Sequence, residues 1–136
     1  MRKWLPGLAG AGLLVFVGIQ WIPCPIQNPP VEIVVEWDSP RTSDLFRRAC
    51  ADCHSNETVW PWYSRIAPVS WFVRDHVIKG REDFNISVPG EIEIDEVVHQ
   101  IRKGEMPLGS YLLLHPEARL TEQEKKDLIG GLKKTF

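Results

Sequence analysis

Cysteine is scarce in this chain. Three thiols occur in 136 residues, and Cys24 stands apart from the other two, so no disulfide framework is implied and a zinc site falls short of the roughly four ligands it wants. Charge of one sign is missing as well. The formal net charge is −2 and there is no long basic run, which leaves no reason in composition to invoke nucleic acid. A small-residue cleavage pattern is absent after the N-terminal apolar run, because Trp21, Ile22 and Pro23 are bulky or rigid and Ala9-Gly10-Ala11 comes too early. Length excludes more than one domain of ordinary size, and hence more than one core.

What is present in excess is proline, with eleven, and tryptophan, with six. Such a mixture implies bent, non-repeating segments packed with large flat side chains, for which a planar cofactor would supply packing surface. The chain is organised around Cys50-Ala51-Asp52-Cys53-His54. On a helix, positions i, i+3 and i+4 share a face, so two sulfurs can reach the vinyl groups of one porphyrin edge while the imidazole turns in to the iron. C-x-x-C-H is the signature of covalent c-type haem attachment. A thioredoxin-like pair would want a preceding strand, whereas Asp44 to Ala49 is helical in pattern.

Arg2 and Lys3 precede an uncharged stretch from Leu5 to Ile22 with four glycines. At about 1.5 Å per residue it is long enough to cross a hydrocarbon layer, which predicts an uncleaved signal anchor over 1–23. The positive-inside rule puts Arg2 and Lys3 in the cytoplasm and everything after the segment outside. That agrees with the haem motif, since covalent attachment in bacteria occurs on the outer side of the cytoplasmic membrane. An unmodified Cys24 is expected at the membrane surface.

Residues 24–42 form an expected linker or extended arm, with a short β-prone run from Val31 to Trp37. The haem domain is expected over 43–136. Ser39-Pro40 and Thr42-Ser43 open a helix that carries Leu45, Phe46 and Ala49 into the attachment site. Pro61 and Pro68 then break the chain into a wrap for the porphyrin, with Trp62 and Tyr63 as candidate cofactor contacts. A helix is predicted from Val69 to Lys79 with Trp71, Phe72, Val73 and Val77 inward and Gly80 as its stop. Another runs from about Glu93 to Lys103 and ends at Gly104. A capping box of Thr121 and Glu124 starts the last helix, which Gly130-Gly131 would loosen.

Taken together, Cys50 to Asn56, Pro61 to Ser64, His76-Val77, Gly80-Arg81, Met106-Pro107, Tyr111 and His115-Pro116 resemble the small bacterial haem-binding-domain family, a branch of single-haem c-type cytochromes. The resemblance covers roughly Ser43 to Phe136. It implies an all-α, cytochrome c-like helical domain, membrane-attached or periplasmic, and no established reaction. Ile86 to Glu91 departs from the family's aromatic pattern.

His54 is the expected proximal ligand, and one haem c is expected on Cys50 and Cys53. Met106 is the favoured distal ligand, on a proline-stiffened loop between helices, since a haem already held by His commonly takes Met. His76 is its rival, with His115 and His99 behind. Arg65 and Arg81 are candidate propionate partners or surface arginines. One-electron transfer with redox proteins of the membrane or periplasm is therefore expected, rather than an enzyme. The competitors are a haem-based gas or redox sensor or peroxidase-like protein with an open distal site, and a haem-bearing accessory domain.

Overall fold

The computed structural model describes residues 5–136, with side chains from Leu8. Among them are seven α-helices and no strand: α1 (Leu5–Ile19), α2 (Pro40–Ala49), α3 (Ala51–His54), α4 (Val69–Asp83), α5 (Ile94–Lys103), α6 (Gly109–Leu112) and α7 (Glu122–Thr135). Short 3-10 turns occupy Trp62–Arg65 and Pro116–Ala118. The regular structure among the described residues is all helical, as the family resemblance implies. Two compact units emerge: one from the N-terminal stretch to Gln27 with Trp60–His76, the other from Asn28–Val59 with Val77–Phe136.

In the first unit the expected membrane span is not found. Helix α1 is described over 15 residues, about 22 Å at 1.5 Å per residue against a hydrocarbon core of about 30 Å. No helix among the described residues is long and apolar enough to cross a membrane. The apolar stretch goes on to Ile22, but the helix does not. Gln20 leaves it to clasp Ala67, donating from Nε2 to the Ala67 carbonyl (3.1 Å) and accepting from the Ala67 amide (3.0 Å). Arg2 and Lys3 lie outside the described residues. Arg74 Nε donates to the Pro25 carbonyl at 2.9 Å, tying the start of α4 to the proline-rich stretch.

The second unit is built on α2, α5 and α7. Ser39 caps α2, its hydroxyl accepting from the Thr42 amide at 3.2 Å, and Pro40 supplies a first-turn residue that has no amide to satisfy. Thr42, Leu45, Phe46 and Ala49 then fall on one buried stripe at helical spacing. Helix α5 buries Val98 and Ile101 and ends at Gly104 with φ of 72°, a conformation glycine takes without a Cβ penalty. Helix α7 begins at the complete Thr121–Glu124 capping box and buries Leu128 and Leu132. Together with Leu120 these side chains form one core, each fully buried aliphatic residue contributing about 1.5–3 kcal/mol.

Val31 to Trp37 forms no strand and lies against the unit as an arm; the amides of Glu32 and Ile33 both donate to the Ser87 carbonyl, and Trp37 packs on Phe46 at 5.1 Å between ring centroids. Two local expectations are corrected. Helix α4 runs through Gly80 to Asp83, with a buried stripe of the small residues Ser70, Val77 and Gly80, so Phe72 is exposed. Gly131 does not loosen α7. It brings α7 against α2, because a Cβ there would meet the Thr42 side chain, whereas one on Gly130 would meet nothing.

Gly131→Ala is accordingly expected to destabilise the protein by about 1–3 kcal/mol through overpacking, while Gly130→Ala gains up to about 1 kcal/mol of helix propensity; thermal unfolding of the two variants would test the contrast. The Thr121 amide and then the Arg48 guanidinium, 2.6 Å away, hold the Glu124 carboxyl down to about 2 from 4.5. A depressed folded pKa means stability that is present above about pH 4.5 and lost as pH falls towards 2. Glu124→Gln should flatten the acid limb of a stability–pH curve in that window.

Candidate haem site

Helix α2 ends at Cys50, whose amide still donates to the Phe46 carbonyl at 2.8 Å, and the chain then turns once more as α3. The amides of Cys53 and His54 both return to the Cys50 carbonyl, at 3.1 and 3.0 Å. That single turn buries His54, only 8% exposed. Its Nδ1 lies 3.2 Å from the Phe84 carbonyl, and its ring stacks on that of Phe84 at 4.0 Å and 7°. A carbonyl can only accept, so the ring proton sits on Nδ1 and the Nε2 lone pair remains for a metal. Burial lowers the His54 pKa, opposed by the carbonyls of Phe84 and Gly80 and by the Asp83 charge, and the neutral imidazole is the form that ligates.

His54 faces a cavity of about 510 Å³, within the range of roughly 300–1,000 Å³ common for cofactor clefts. Cys50 and Ala49 line it from α2 and its end, Phe84 from behind the imidazole, Val97 and Ile101 from α5, and Met106-Pro107 from the loop beyond. The Met106–Pro107 bond is cis, as is Ala67–Pro68. A thiol and an imidazole from the motif and a thioether from a loop some fifty residues later therefore line one largely apolar space. These residues fit a haem held through a cysteine with nitrogen and sulfur donors at its iron.

Cys53 is not among the lining residues. It lies under α4, where a Cβ added to Gly80 would come within 2.7 Å of the Cys53 carbonyl oxygen and 2.9 Å of its Cβ. Burial pushes the Cys50 thiol up to about 12, with Cys53 adding to it. Burial and the Asp52 charge push Cys53 up to about 11, with Arg81 pulling the other way. Both thiols stay protonated at neutral pH, the reverse of the low-pKa pair that a thioredoxin-like redox site requires.

Of the other candidates, Trp62, Tyr63, Arg65 and His76 belong to the first unit. Trp62 and Arg65 are exposed, and Trp62 meets Tyr63 edge to face at 5.8 Å. His76 Nδ1 bonds the Phe72 carbonyl at 2.9 Å. Arg81 donates to the Ser55 carbonyl, Asn28 Oδ1 and Thr58 Oγ1, each at 2.9 Å, and so braces the loop after the motif. His115 stacks on Tyr111 at 4.2 Å and bonds Glu117, and His99 is exposed.

A polar scaffold around the motif escaped the sequence reading. Asp52 accepts from the Val59 amide (2.9 Å) and from the Tyr111 hydroxyl (2.7 Å), joining the loop after the motif to α6. Burial, and then that bond, push the Tyr111 pKa upward. Behind His54, Asn56 bonds Ser87, Asn85 and the Pro30 carbonyl, while the Ile86 amide donates to the His54 carbonyl at 3.1 Å. The one available signal was the run of small polar residues directly after the motif and again at Asn85 and Ser87.

An all-helical unit with this donor set around one cavity defines a haem-binding protein. The family model of the haem-binding domain matches residues 14–134, and the chain belongs to that family. Comparison with curated proteins and with solved structures gave no match.

Gly80→Ala is expected to force α4 away from the motif and to lower the fraction of haem-loaded protein severalfold, read as the ratio of Soret to protein absorbance. Gly90, where an added methyl would meet nothing, gives the matching control: Gly90→Ala should load as wild type does.

Proposed function

We propose that the chain is a single-haem c-type cytochrome that transfers one electron at a time, with His54 as proximal and Met106 as distal iron ligand. The observation that carries this reading is the convergence of Cys50, His54 and Met106 on one cavity. Haem, when bound, supplies a one-electron couple at its iron.

The chain's own residues do the rest. The Phe84 carbonyl and ring hold the His54 imidazole in one tautomer and one orientation, which limits the rearrangement that a change of charge at the iron would otherwise cause. Cys50, on the cavity wall, and Cys53, three residues on, are the thiols that would hold the haem, each by adding its S–H across a vinyl group. Val97, Ile101 and Pro107 supply apolar surface to the cavity wall. A thioether ligand at Met106 would favour the reduced state of a bound haem and raise its potential. Attachment of this kind requires export, and the exposed apolar side chains Leu13, Leu14 and Val15 of α1 suit a segment that enters the export route. The haem unit then works on the outer side of a bacterial cytoplasmic membrane, with redox proteins as partners and no substrate at the iron.

Optical spectra of haem-loaded wild type and Met106→Ala, oxidised and reduced, with and without carbon monoxide, test the assignment. Wild type should be low-spin, show the weak near-infrared band of ferric Met–His haem and resist carbon monoxide; the variant should lose the band and bind the gas. Ready gas binding by wild type would replace this reading with a sensor or peroxidase-like one. Haem that leaves the chain under denaturing conditions would refute covalent attachment.

A further inference from the structure

We infer that the acidic rim of the haem cavity is the docking surface for a redox protein that presents a basic face. The inference rests on the electron-transfer reading and adds the character of the partner. Between Arg81 and Arg102 the chain has six carboxylates, Glu82, Asp83, Glu91, Glu93, Asp95 and Glu96, and no lysine or arginine. All six are exposed. Asp83, Glu93 and Glu96 line the same cavity as His54 and Met106.

These charges are poorly neutralised within the molecule. Asp95 pairs with Lys133 at 3.1 Å, and Glu96 accepts from Gln100 at 2.6 Å, but Asp83 and Glu93 are in no ion pair among the described residues. A separate depression is lined by Arg102, Lys125 and Lys126 together with Glu122. Carboxylates at the mouth, with Val97 and Pro107 inside it, give the anatomy of a transient interface: an apolar centre over the cofactor and a charged rim. Such a rim raises the encounter rate with an oppositely charged protein and is screened over about 10 Å at 0.1 M salt.

The test is stopped-flow oxidation of the reduced, haem-loaded full chain by a lysine-ringed cytochrome c and, separately, by hexacyanoferrate(III), across a series of salt concentrations. One variant carries Glu91→Gln, Glu93→Gln and Glu96→Gln, leaving Asp83 beside the His54 support untouched. A control of equal charge carries Asp38→Asn, Glu117→Gln and Glu122→Gln. With the basic protein, the wild-type rate should fall steeply as salt rises. The rim variant should react about tenfold more slowly at low salt with a flattened slope, and the control should stay within about twofold of wild type. Equal losses in both variants, or no salt dependence in wild type, would overturn the docking surface. So would salt-sensitive dimers in sedimentation that the rim variant abolishes, since the basic depression of a second copy would then be the occupant. Normal oxidation by hexacyanoferrate(III) alongside any of these failures leaves electron transfer standing; failure with both oxidants removes the electron-transfer reading itself.

Discussion

The hydrogen bond from His54 Nδ1 to the Phe84 carbonyl, with the Phe84 ring stacked beneath the imidazole, is the constraint on which the site depends. It decides the tautomer, and so which nitrogen is left for iron. It also ties the end of α4 to a motif some thirty residues earlier in the chain. Much of the neighbouring structure serves to keep that contact in register. Gly80 lets α4 approach the Cys53 backbone, Arg81 takes the Ser55 carbonyl, and the Ile86 amide takes the carbonyl of His54 itself. Loss of any one of these would leave a buried polar group without a partner, which is costlier than the bond is stabilising.

Electrostatics follows from the same arrangement. Burial lowers the His54 pKa and raises those of both thiols, a combination unsuited to thiol redox chemistry. The exposed carboxylates Asp83, Glu93 and Glu96 line the cavity together with the apolar Val97, Ile101 and Pro107. Helix α5 supplies both kinds in Glu96, Val97 and Ile101, because a helix places glutamates and aliphatic side chains on adjoining faces of one short segment.

Much was legible in the chain before folding. The Ser39 and Thr121 caps, the Gly104 stop and the apolar spacing of α5 are local features, set by chemistry within four or five residues, and they appear as expected. Met106 lines the same cavity as His54. The reading failed where a local signal met a tertiary one. Gly80 has the look of a helix stop, but its hydrogen still leaves room for Cys53, and α4 continues past it. Gly131 resembles a weak point and is the contact with Thr42. Leu5 to Ile22 has the composition of a span, but Gln20 is drawn off by Ala67.

The sequence by itself determined the haem-binding class, through the motif Cys50 to His54, and the ends of several helices, because each depends on residues close together in the chain. Only the tertiary structure decided which nitrogen of His54 is free, that Met106 lines the same cavity, and that Arg81 braces a loop. It also revealed the scaffold of Asp52, Asn56, Ser87 and Tyr111. Those outcomes depend on polar and small residues brought together from distant segments, where the requirement to satisfy every buried donor and acceptor selects partners that no periodicity in the chain records.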